Sequence, residues 1–236
     1  MKILRLLHSL NPAGGGVAEG VSQLTPHLNN LGASTTVATL DLPDSPWLQH
    51  LHFSTIGLGP VFNGFGYKRG LPSRILDLAR HHDVVIIEGI WNYHSLATWR
   101  ALRSSGIPYF VYTHGMLDPW FKRSYPFKHL KKWLYWTFAE YRVLRDATAV
   151  LFTTEQERIL ASQSFWFYQA KELVVGYGTS PPPGDSDQQR NIFLARFPHL
   201  CNKRTFLFLS RIHPKKGVDL LIEAFALVAD FDPLLH

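Results

Sequence analysis

The stretch KILRLLHSLNPAGGG, residues 2–16, decides the fold of this chain. It begins as an apolar run typical of a buried strand and continues directly into three glycines. A strand, a glycine loop and a helix in succession are typical of a doubly wound parallel sheet, which binds ligands at the carboxyl edge of its strands. Gly15 and Gly16 carry no Cβ, so the backbone there can approach a ligand closely. By motif alone, a flexible strand–helix turn explains these glycines equally well.

Strand and helix patterns alternate along the chain as far as residue 178. Further strands are predicted at STTVATL (34–40), DVVIIEGI (83–90), PYFVYTHG (108–115), ATAVLFTT (147–154) and ELVVG (172–176), with helices between them. Residues 41–72 are predicted to be a loop, and residues 125–146 a long helix. Strands that are apolar on both faces indicate a parallel sheet covered on both sides, so the predicted class is α/β.

A proline-rich polar segment, TSPPPGDSDQQR (179–190), predicts a domain boundary. We therefore expect a first domain over 1–178, a linker with a short helix over 179–202, and the start of a second Rossmann-like domain over 203–236. That second part offers one strand, TFLFLS (205–210), and one amphipathic helix, residues 218–231.

Composition excludes several classes of protein. The chain has 236 residues, 46% of them hydrophobic, which is ample for a packed core. Its single cysteine, Cys201, excludes an internal disulfide framework. No apolar run reaches the roughly 18 residues of a membrane-spanning helix. Two histidine groups, His50 with His52 and His81 with His82 and Asp83, lack a third ligand at a recognised spacing, so no metal site is predicted.

The positive charge is concentrated in one segment. The formal net charge is +6, and residues 122–145 hold seven basic side chains against one acid, Glu140. On a helical wheel Phe127, Leu130, Leu134, Phe138 and Tyr141 share one stripe. The neighbouring stripe holds Lys128, Lys131, Lys132, Tyr135 and Arg142. The candidate membrane-facing residues are Lys128, Lys131, Lys132 and Arg142. One interpretation of this pattern is structural: a core helix whose cationic side faces solvent. The other is functional: a helix that docks on anionic lipid.

The segment FLSRIHPKKGVDLLIEAFA (208–226) closely resembles the donor-site segment of family 4 retaining glycosyltransferases, which have the two-domain GT-B fold. NPAGGGVAEGVSQL (11–24) is similar to that family's amino-terminal glycine loop. THGMLDPWFKRSYPFKHLKKWLYW (113–136) looks like a segment of members that build bacterial surface polysaccharides. The resemblance extends over nearly the whole chain.

The resemblance implies a role for several residues. Arg211 and Lys216 would bind the diphosphate of a nucleotide-sugar, together with Gly15 and Gly16. His114, in a His-Gly pair after a strand, would reach the transferred sugar as the catalytic residue. Five further residues near the same edge are candidates for acceptor binding: Glu88, Asn92, His94, Asp118 and Trp120. Many related chains have a histidine where this one has Glu88, so the role of that carboxylate is left open.

The function implied is retaining transfer of a sugar from a nucleotide-sugar donor to a glycan or lipid-linked glycan. Such an enzyme of the hexosyltransferase type needs no cofactor and no metal for its chemistry. It would be cytoplasmic, with the anionic inner face of the plasma membrane as a further partner surface. Nucleic acid is not expected as a partner, because no nucleic-acid motif accompanies the charge.

In this family an E-x7-E glutamate pair follows the 211–216 segment, beyond residue 236. We therefore expect residues 1–236 alone to be an incomplete form with little or no transferase activity. The alternative is a non-catalytic module that binds acceptor or membrane. A dinucleotide-dependent oxidoreductase is disfavoured, since the glycine loop lacks the G-x-G-x-x-G spacing.

Overall fold

The computed structural model describes residues 1–178, 181–182, 184–232 and 234–235. The chain divides into two compact units, Met1–Ser180 and Pro181–His236. Residues 179, 180 and 183 of the predicted linker lie outside the described residues, as do residues 233 and 236 of the predicted second domain.

A single parallel sheet organises the described part of the first unit. Its strands are β1 (Lys2–Leu7), β2 (Ser34–Thr39), β3 (Ser54–Gly57), β4 (Val84–Glu88), β5 (Tyr109–Tyr112), β6 (Ala149–Phe152) and β7 (Glu172–Val174). They lie in the order β3-β2-β1-β4-β5-β6-β7, and every neighbouring pair is parallel. The predicted α/β doubly wound sheet is confirmed.

Helices fill the connections between these strands. They are α1 (Gly16–Asn30), α2 (Pro46–Gln49), α3 (Leu71–Ala79), α4 (Tyr93–Leu102), α5 (Trp120–Ser124), α6 (Pro126–Tyr135), α7 (Tyr141–Arg145) and α8 (Glu155–Ala161). A π-helical turn, Trp136–Glu140, joins α6 to α7. A larger core cluster includes residues of α3, α4 and the π-helical turn, and a smaller one packs α1 and α2 against β1 and β2.

The strand order reverses between β1 and β4, and this switch point sets the position of the site. In register, Leu7 of β1 pairs with Thr39 on one side and with Glu88 on the other, and Glu88 pairs with Tyr112 of β5. The central strands therefore all terminate at the same edge of the sheet, with their last residues side by side. Crevices at this edge are where open α/β sheets bind ligands.

Three short elements went unpredicted. Strand β3 and helix α2 lie inside the predicted loop 41–72, and α5 precedes the predicted long helix. Strand β3 has the sequence STIG, too short and too polar to stand out, and forms because β2 offers a free edge to pair with.

The second unit contains α9 (Ser186–Arg196) and α10 (Val218–Val228). Helix α10 ends three residues before the predicted end at 231, and α9 covers most of the short helix predicted at 191–197 but begins five residues earlier, inside the polar segment 179–190. The strand predicted at 205–210 does not form. In the described part of this unit the one β-type pairing is an isolated bridge between Arg204 and Leu235, so a strand at 205–210 has no neighbour for its backbone hydrogen bonds. No residue of α10 is buried. In the described part of the chain, no helix combines the length and apolar character needed to span a membrane.

The one acid of the cationic segment lies inside the protein. Glu140, at the end of the π-helical turn, is fully buried and accepts hydrogen bonds from the Trp91 backbone N–H (2.9 Å) and from Ser95 Oγ (2.7 Å). Burial raises the pKa of Glu140 to about 7, and these two hydrogen bonds offset only part of the desolvation cost. Apart from the half-buried Lys132, the basic residues of the segment are therefore exposed to solvent without an opposing carboxylate within the segment.

We expect Glu140 to make the folded state less stable as pH rises. The pKa of Glu140 is higher in the folded than in the unfolded state, so the folded state binds more protons between about pH 4.5 and 7; its stability falls across that window and levels off above it. At about 1.4 kcal/mol per pKa unit, the loss is on the order of 3 kcal/mol. Glu140→Gln keeps the accepting oxygen but has no charge, so its unfolding free energy in urea should change less between mildly acidic and mildly basic pH. Glu19→Gln, at an exposed glutamate of α1, is the control. Equal pH profiles for the wild type and Glu140→Gln would contradict the assignment.

Candidate functional site

A buried ion pair lies at the switch point. Glu88, the last residue of β4, accepts hydrogen bonds on Oε1 from Arg5 Nε (2.8 Å) and from the Arg5 Nη2 group. Its other oxygen, Oε2, lies 2.7 Å from His114 Nε2. Arg5 is 1% exposed and Glu88 2%. Both carboxylate oxygens are occupied, so the geometry favours Glu88 as the group that holds His114 over the predicted contact with an acceptor.

Glu88 remains ionised in spite of its burial. Desolvation would raise the pKa of this carboxyl, but the charge of Arg5 and the hydrogen bond with His114 outweigh it and hold the pKa below its usual value. An ionised carboxylate can only accept, so His114 Nε2 carries the hydrogen. In the neutral imidazole the lone pair then lies on Nδ1, which has no hydrogen bond among the described residues and is left for a ligand.

Aromatic rings and an unusual backbone fix the orientation of His114. The residue has a left-handed backbone with φ of 48°, in the turn directly after β5. Its ring stacks on Tyr112, with centroids 5.4 Å apart, and the Tyr177 ring stands edge-on to both at 5.2 Å. Tyr177 in turn lies against Gly20 of α1, where an added Cβ would come within 2.3 Å of the phenol ring. The imidazole therefore has little freedom to turn.

His114 opens onto a pocket of about 340 Å³ between the ends of β5 and β6. Glu157 of α8 forms its wall and accepts from Thr113 Oγ1, the Gly115 N–H and both the N–H and Oγ1 of Thr153, at 2.7 to 2.8 Å. These contacts tie the His114 loop to the β6 loop and hold the pKa of Glu157 below its usual value against the effect of burial. Glu157 has its oxygens occupied and positions the loop.

Asp118 lines the same pocket, and Trp120 follows it in the chain. Asp118 Oδ1 accepts from the Trp120 backbone N–H at 2.8 Å, and the Trp120 ring packs edge-on against Phe121 and Tyr125. Asp118 therefore both caps this turn and borders the space beside His114.

A smaller cavity of about 160 Å³ lies on the other side of Glu88, and His8, Asn92 and His94 line it. His94 is 2% exposed; its Nε2 lies 3.2 Å from the Glu88 carbonyl oxygen and its Nδ1 has no partner. The Nδ1 of His8 is likewise buried and unpartnered. Burial lowers the pKa of His94 to about 4 and also lowers that of His8. Asn92 binds the Gly64 carbonyl oxygen through Nδ2, at 3.2 Å.

The glycine loop borders this small cavity through Gly14 and the first turn of α1. Gly15 has φ of 89° and ψ of −152°, a backbone region that is essentially restricted to glycine. No side chain caps α1, so the N–H groups of its first turn are free of a side-chain acceptor. An added Cβ at Gly15 or Gly16 would meet nothing within 4 Å, which leaves room for a ligand against the backbone. This end of α1 suits an anion.

In the second unit, Arg211 and Lys216 are exposed on the segment that leads into α10. Lys216 ends a short 3-10 turn, Pro214–Lys216, and Gly217 follows with a left-handed backbone. Among the described residues neither cation takes part in an ion pair.

Three of the candidate membrane-facing lysines, Lys128, Lys131 and Lys132, line a groove of about 780 Å³ between α6 and Trp91. Lys132 Nζ lies 4.7 Å from the Trp91 ring centre and 5.3 Å from that of Phe121. Burial lowers the pKa of Lys132. The fourth candidate, Arg142, lies apart from this groove, over the ring of Trp99.

Sequence reasoning missed Arg5, His8 and Tyr177. The available signal was Arg5 itself, because an arginine inside an otherwise apolar central strand needs a buried acid, and Glu88 is the acid that ends another such strand. His8 and Tyr177 carried no comparable signal. Among the described residues, no three His, Cys, Asp or Glu side chains are grouped so as to hold a metal ion.

Comparison with known proteins places this arrangement in a family. The model of the glycosyl transferase 4-like domain matches residues 15–178. No curated protein sequence matches the chain. Sucrose-phosphate synthase from Thermosynechococcus elongatus is similar in structure, with a TM-score of 0.61 and 16% identity over 97% of this chain and 60% of that one.

Two further solved structures share the fold. A glycosyltransferase from Rickettsia africae ESF-5 has a TM-score of 0.61 and 15% identity, covering 96% of this chain and 57% of that chain. A UGT transferase from Siraitia grosvenorii, solved with UDP, has a TM-score of 0.52 and 13% identity, covering 97% and 61%. This chain thus spans about 60% of the length of these relatives. Since the family model covers well over half of it, the chain belongs to the glycosyl transferase 4-like domain family.

Proposed function

We propose that this chain takes part in the transfer of a sugar from a nucleotide-sugar donor to a glycan or lipid-linked glycan, with retention at the anomeric carbon. The observation that carries the proposal is the imidazole of His114, held by the buried Glu88–Arg5 pair at the carboxyl edge of the sheet. Membership of the glycosyl transferase 4-like family supports the reaction type.

The donor diphosphate has a candidate binding segment in each unit. In the first, Gly15 and Gly16 expose backbone N–H groups at the uncapped start of α1, where the helix dipole favours an anion. In the second, Arg211 offers a forked guanidinium and Lys216 a point charge. The similar Siraitia grosvenorii transferase was solved with UDP, which agrees with a nucleotide donor here.

His114 would act on the sugar through Nδ1. Because Glu88 accepts the hydrogen of Nε2, the neutral ring presents an acceptor to a sugar hydroxyl and stabilises positive charge that develops on the ring carbon. As the bond to phosphate breaks, negative charge grows on the departing diphosphate, and the protein's cations neutralise it. In this proposal Arg211 and Lys216 fill the role that a metal ion has in other transferases.

The acceptor hydroxyl has a matching environment in the small cavity beside Glu88. Two neutral imidazoles, His8 and His94, each have a buried nitrogen without a partner. Neutral imidazole nitrogens bind hydroxyl groups, and a buried polar atom without a partner is costly until a ligand satisfies it. Asn92 and, beside the larger pocket, Asp118 are further candidates for acceptor contact.

The function is tested by incubating the protein with a panel of nucleotide-sugars and glycan or lipid-linked acceptors and measuring the release of nucleoside diphosphate. Binding of a nucleotide-sugar, or acceptor-dependent release with retained anomeric configuration, supports the proposal. Binding of an acceptor without binding or turnover of any nucleotide-sugar would instead establish the non-catalytic module.

Glu88→Gln should change the tautomer of His114. The wild-type ring should carry its hydrogen on Nε2, because an ionised carboxylate faces that nitrogen. The amide that replaces the carboxylate can present a donor instead, which favours hydrogen on Nδ1. Two-bond ¹H–¹⁵N correlation spectra report the tautomer directly, and His114→Gln identifies the signal. A wild-type ring protonated on Nδ1 would overturn the assigned role of Glu88. The variant also leaves Arg5 without its charge partner, so we expect a loss of stability of about 3–5 kcal/mol.

Neutralising Arg211 and Lys216 should weaken the binding of UDP or GDP. Charge-assisted hydrogen bonds contribute about 1.5–3 kcal/mol each, so the double alanine variant should lose roughly a hundredfold or more in affinity by calorimetric titration. Gly15→Ala should also weaken binding, because its backbone conformation is strained for any residue with a Cβ. Arg190→Ala with Arg196→Ala, on exposed arginines of α9, is the matched control. Unchanged affinity in the Arg211 and Lys216 variant would remove these residues from the donor site.

A further inference from the structure

Helix α6 and the π-helical turn expose an apolar stripe instead of burying it. Phe127 is 88% exposed, Leu130 61%, Leu134 55% and Phe138 73%. Their spacing puts all four on one side of the helix. The side that packs into the core is a different one, with Trp136, Ala139, Val143 and Leu144. The segment does pack into the core, as the alternative interpretation of the sequence has it. Of the predicted stripe, Tyr141 packs against that core, whereas Phe127, Leu130, Leu134 and Phe138 face water. We call Phe127, Leu130, Leu134 and Phe138, with the flanking Lys128 and Lys131, the α6 surface.

The apolar character extends to both sides of this helix. On one side a pocket of about 510 Å³ is lined by Leu130 together with Trp166, which is 71% exposed. On the other side lies the groove of Lys128, Lys131 and Lys132, which Leu134 and Phe138 also line. A contiguous exposed apolar patch rimmed by polar groups marks an interaction site more often than an isolated exposed residue does.

The charge around the α6 surface has one sign. Lys122, Arg123, Lys128 and Lys131 are exposed, whereas Glu140 points into the core. Among the described residues, none of these four cations takes part in an ion pair. A second copy of this chain would bring the same charges face to face and repel. A nucleic acid would satisfy the cations but leave the Phe and Leu side chains in water.

We propose that the α6 surface docks on an anionic lipid bilayer, with Phe127, Leu130, Leu134 and Phe138 inserted among the acyl chains and the lysines at the phosphate level. An exposed apolar stripe bordered by lysines on a helix that lies flat is the arrangement of interfacial amphipathic helices. Trp166 beside it has the amphipathic ring that favours the membrane–water interface. The long lysine side chains can extend their charged ends to the headgroups while their stems remain in apolar surroundings.

The test uses the 236-residue protein and sedimentation with vesicles, and no donor or acceptor sugar is present. The wild type should bind vesicles of phosphatidylcholine with phosphatidylglycerol and bind vesicles of phosphatidylcholine alone at least tenfold more weakly, since the cations contribute only on the charged membrane. Raising the salt concentration should weaken binding to the charged vesicles, because exposed charges are screened.

Two pairs of variants separate the contributions. Phe127→Ser with Phe138→Ser should reduce binding roughly tenfold or more, and so should Lys128→Gln with Lys131→Gln. Leu31→Ser is the control for the first pair, since Leu31 is 85% exposed on the opposite end of α1 from the glycine loop. Lys171→Gln, at an exposed lysine outside the segment, is the control for the second. All altered side chains are exposed, so thermal unfolding should be nearly unchanged and loss of fold cannot mimic loss of binding.

Insertion is measured separately as the rise in pressure of a phosphatidylglycerol monolayer. The wild type should raise the pressure, and the Phe127→Ser and Phe138→Ser protein should not. Three results would overturn the proposal: no binding to anionic vesicles at low salt, equal binding of the stripe variants and the wild type, or light scattering that shows a dimer abolished by the stripe variants. Because no nucleotide-sugar enters these measurements, failure of the proposed transfer reaction would leave their outcome unaffected.

Discussion

The ion pair between Arg5 and Glu88 is the constraint on which the site depends. An arginine and a glutamate side by side at the centre of a parallel sheet are stable only as partners, because either charge alone would bear the full cost of desolvation. The pair joins the two strands that flank the switch point, and its free carboxylate oxygen extends to His114. One interaction thus links the two central strands, keeps Glu88 ionised and determines which nitrogen of His114 carries the hydrogen. The rings of Tyr112 and Tyr177 complete the restraint from the sides.

A second buried glutamate shows how strongly surroundings decide the behaviour of one side chain. Glu140 is as deeply buried as Glu88 but has no cation beside it, and burial raises its pKa to about 7. Glu88 faces a guanidinium and an imidazole, and its pKa is lower than usual. The first carboxyl links the π-helical turn to α4 through Ser95, and the second supports the reactive edge.

The sequence was sufficient for the sheet and for much of its reactive edge. Apolar strands separated by helices predicted the α/β class, and the edge rule singled out His114 and Glu88 before their contact was known. The direction of Glu88 could not be read from the chain, because its partner Arg5 is 83 residues away. The stripe on α6 was visible as a pattern, but a helical wheel does not tell which of two apolar sides meets the core. In the structure Trp136 and Val143 are buried in the core, and Phe127 is exposed to solvent. The prediction of a strand at 205–210 was wrong for another reason. The apolar sequence favours a strand, but a strand also needs a neighbouring strand for its backbone hydrogen bonds.

The inward direction of Glu140 has a consequence for how the molecule approaches a charged surface. With its one acid removed from solvent, the 122–145 segment concentrates an excess of positive charge on one part of the first unit, while the rest of the chain is close to neutral. Such a distribution is an electric dipole, and the field of an anionic layer exerts a torque on it. Ions screen that field beyond about 10 Å, so the rotation takes place in the last nanometre before contact. The protein would then reach the surface with its positive side already facing it. A molecule that approached with another side would be rotated before contact.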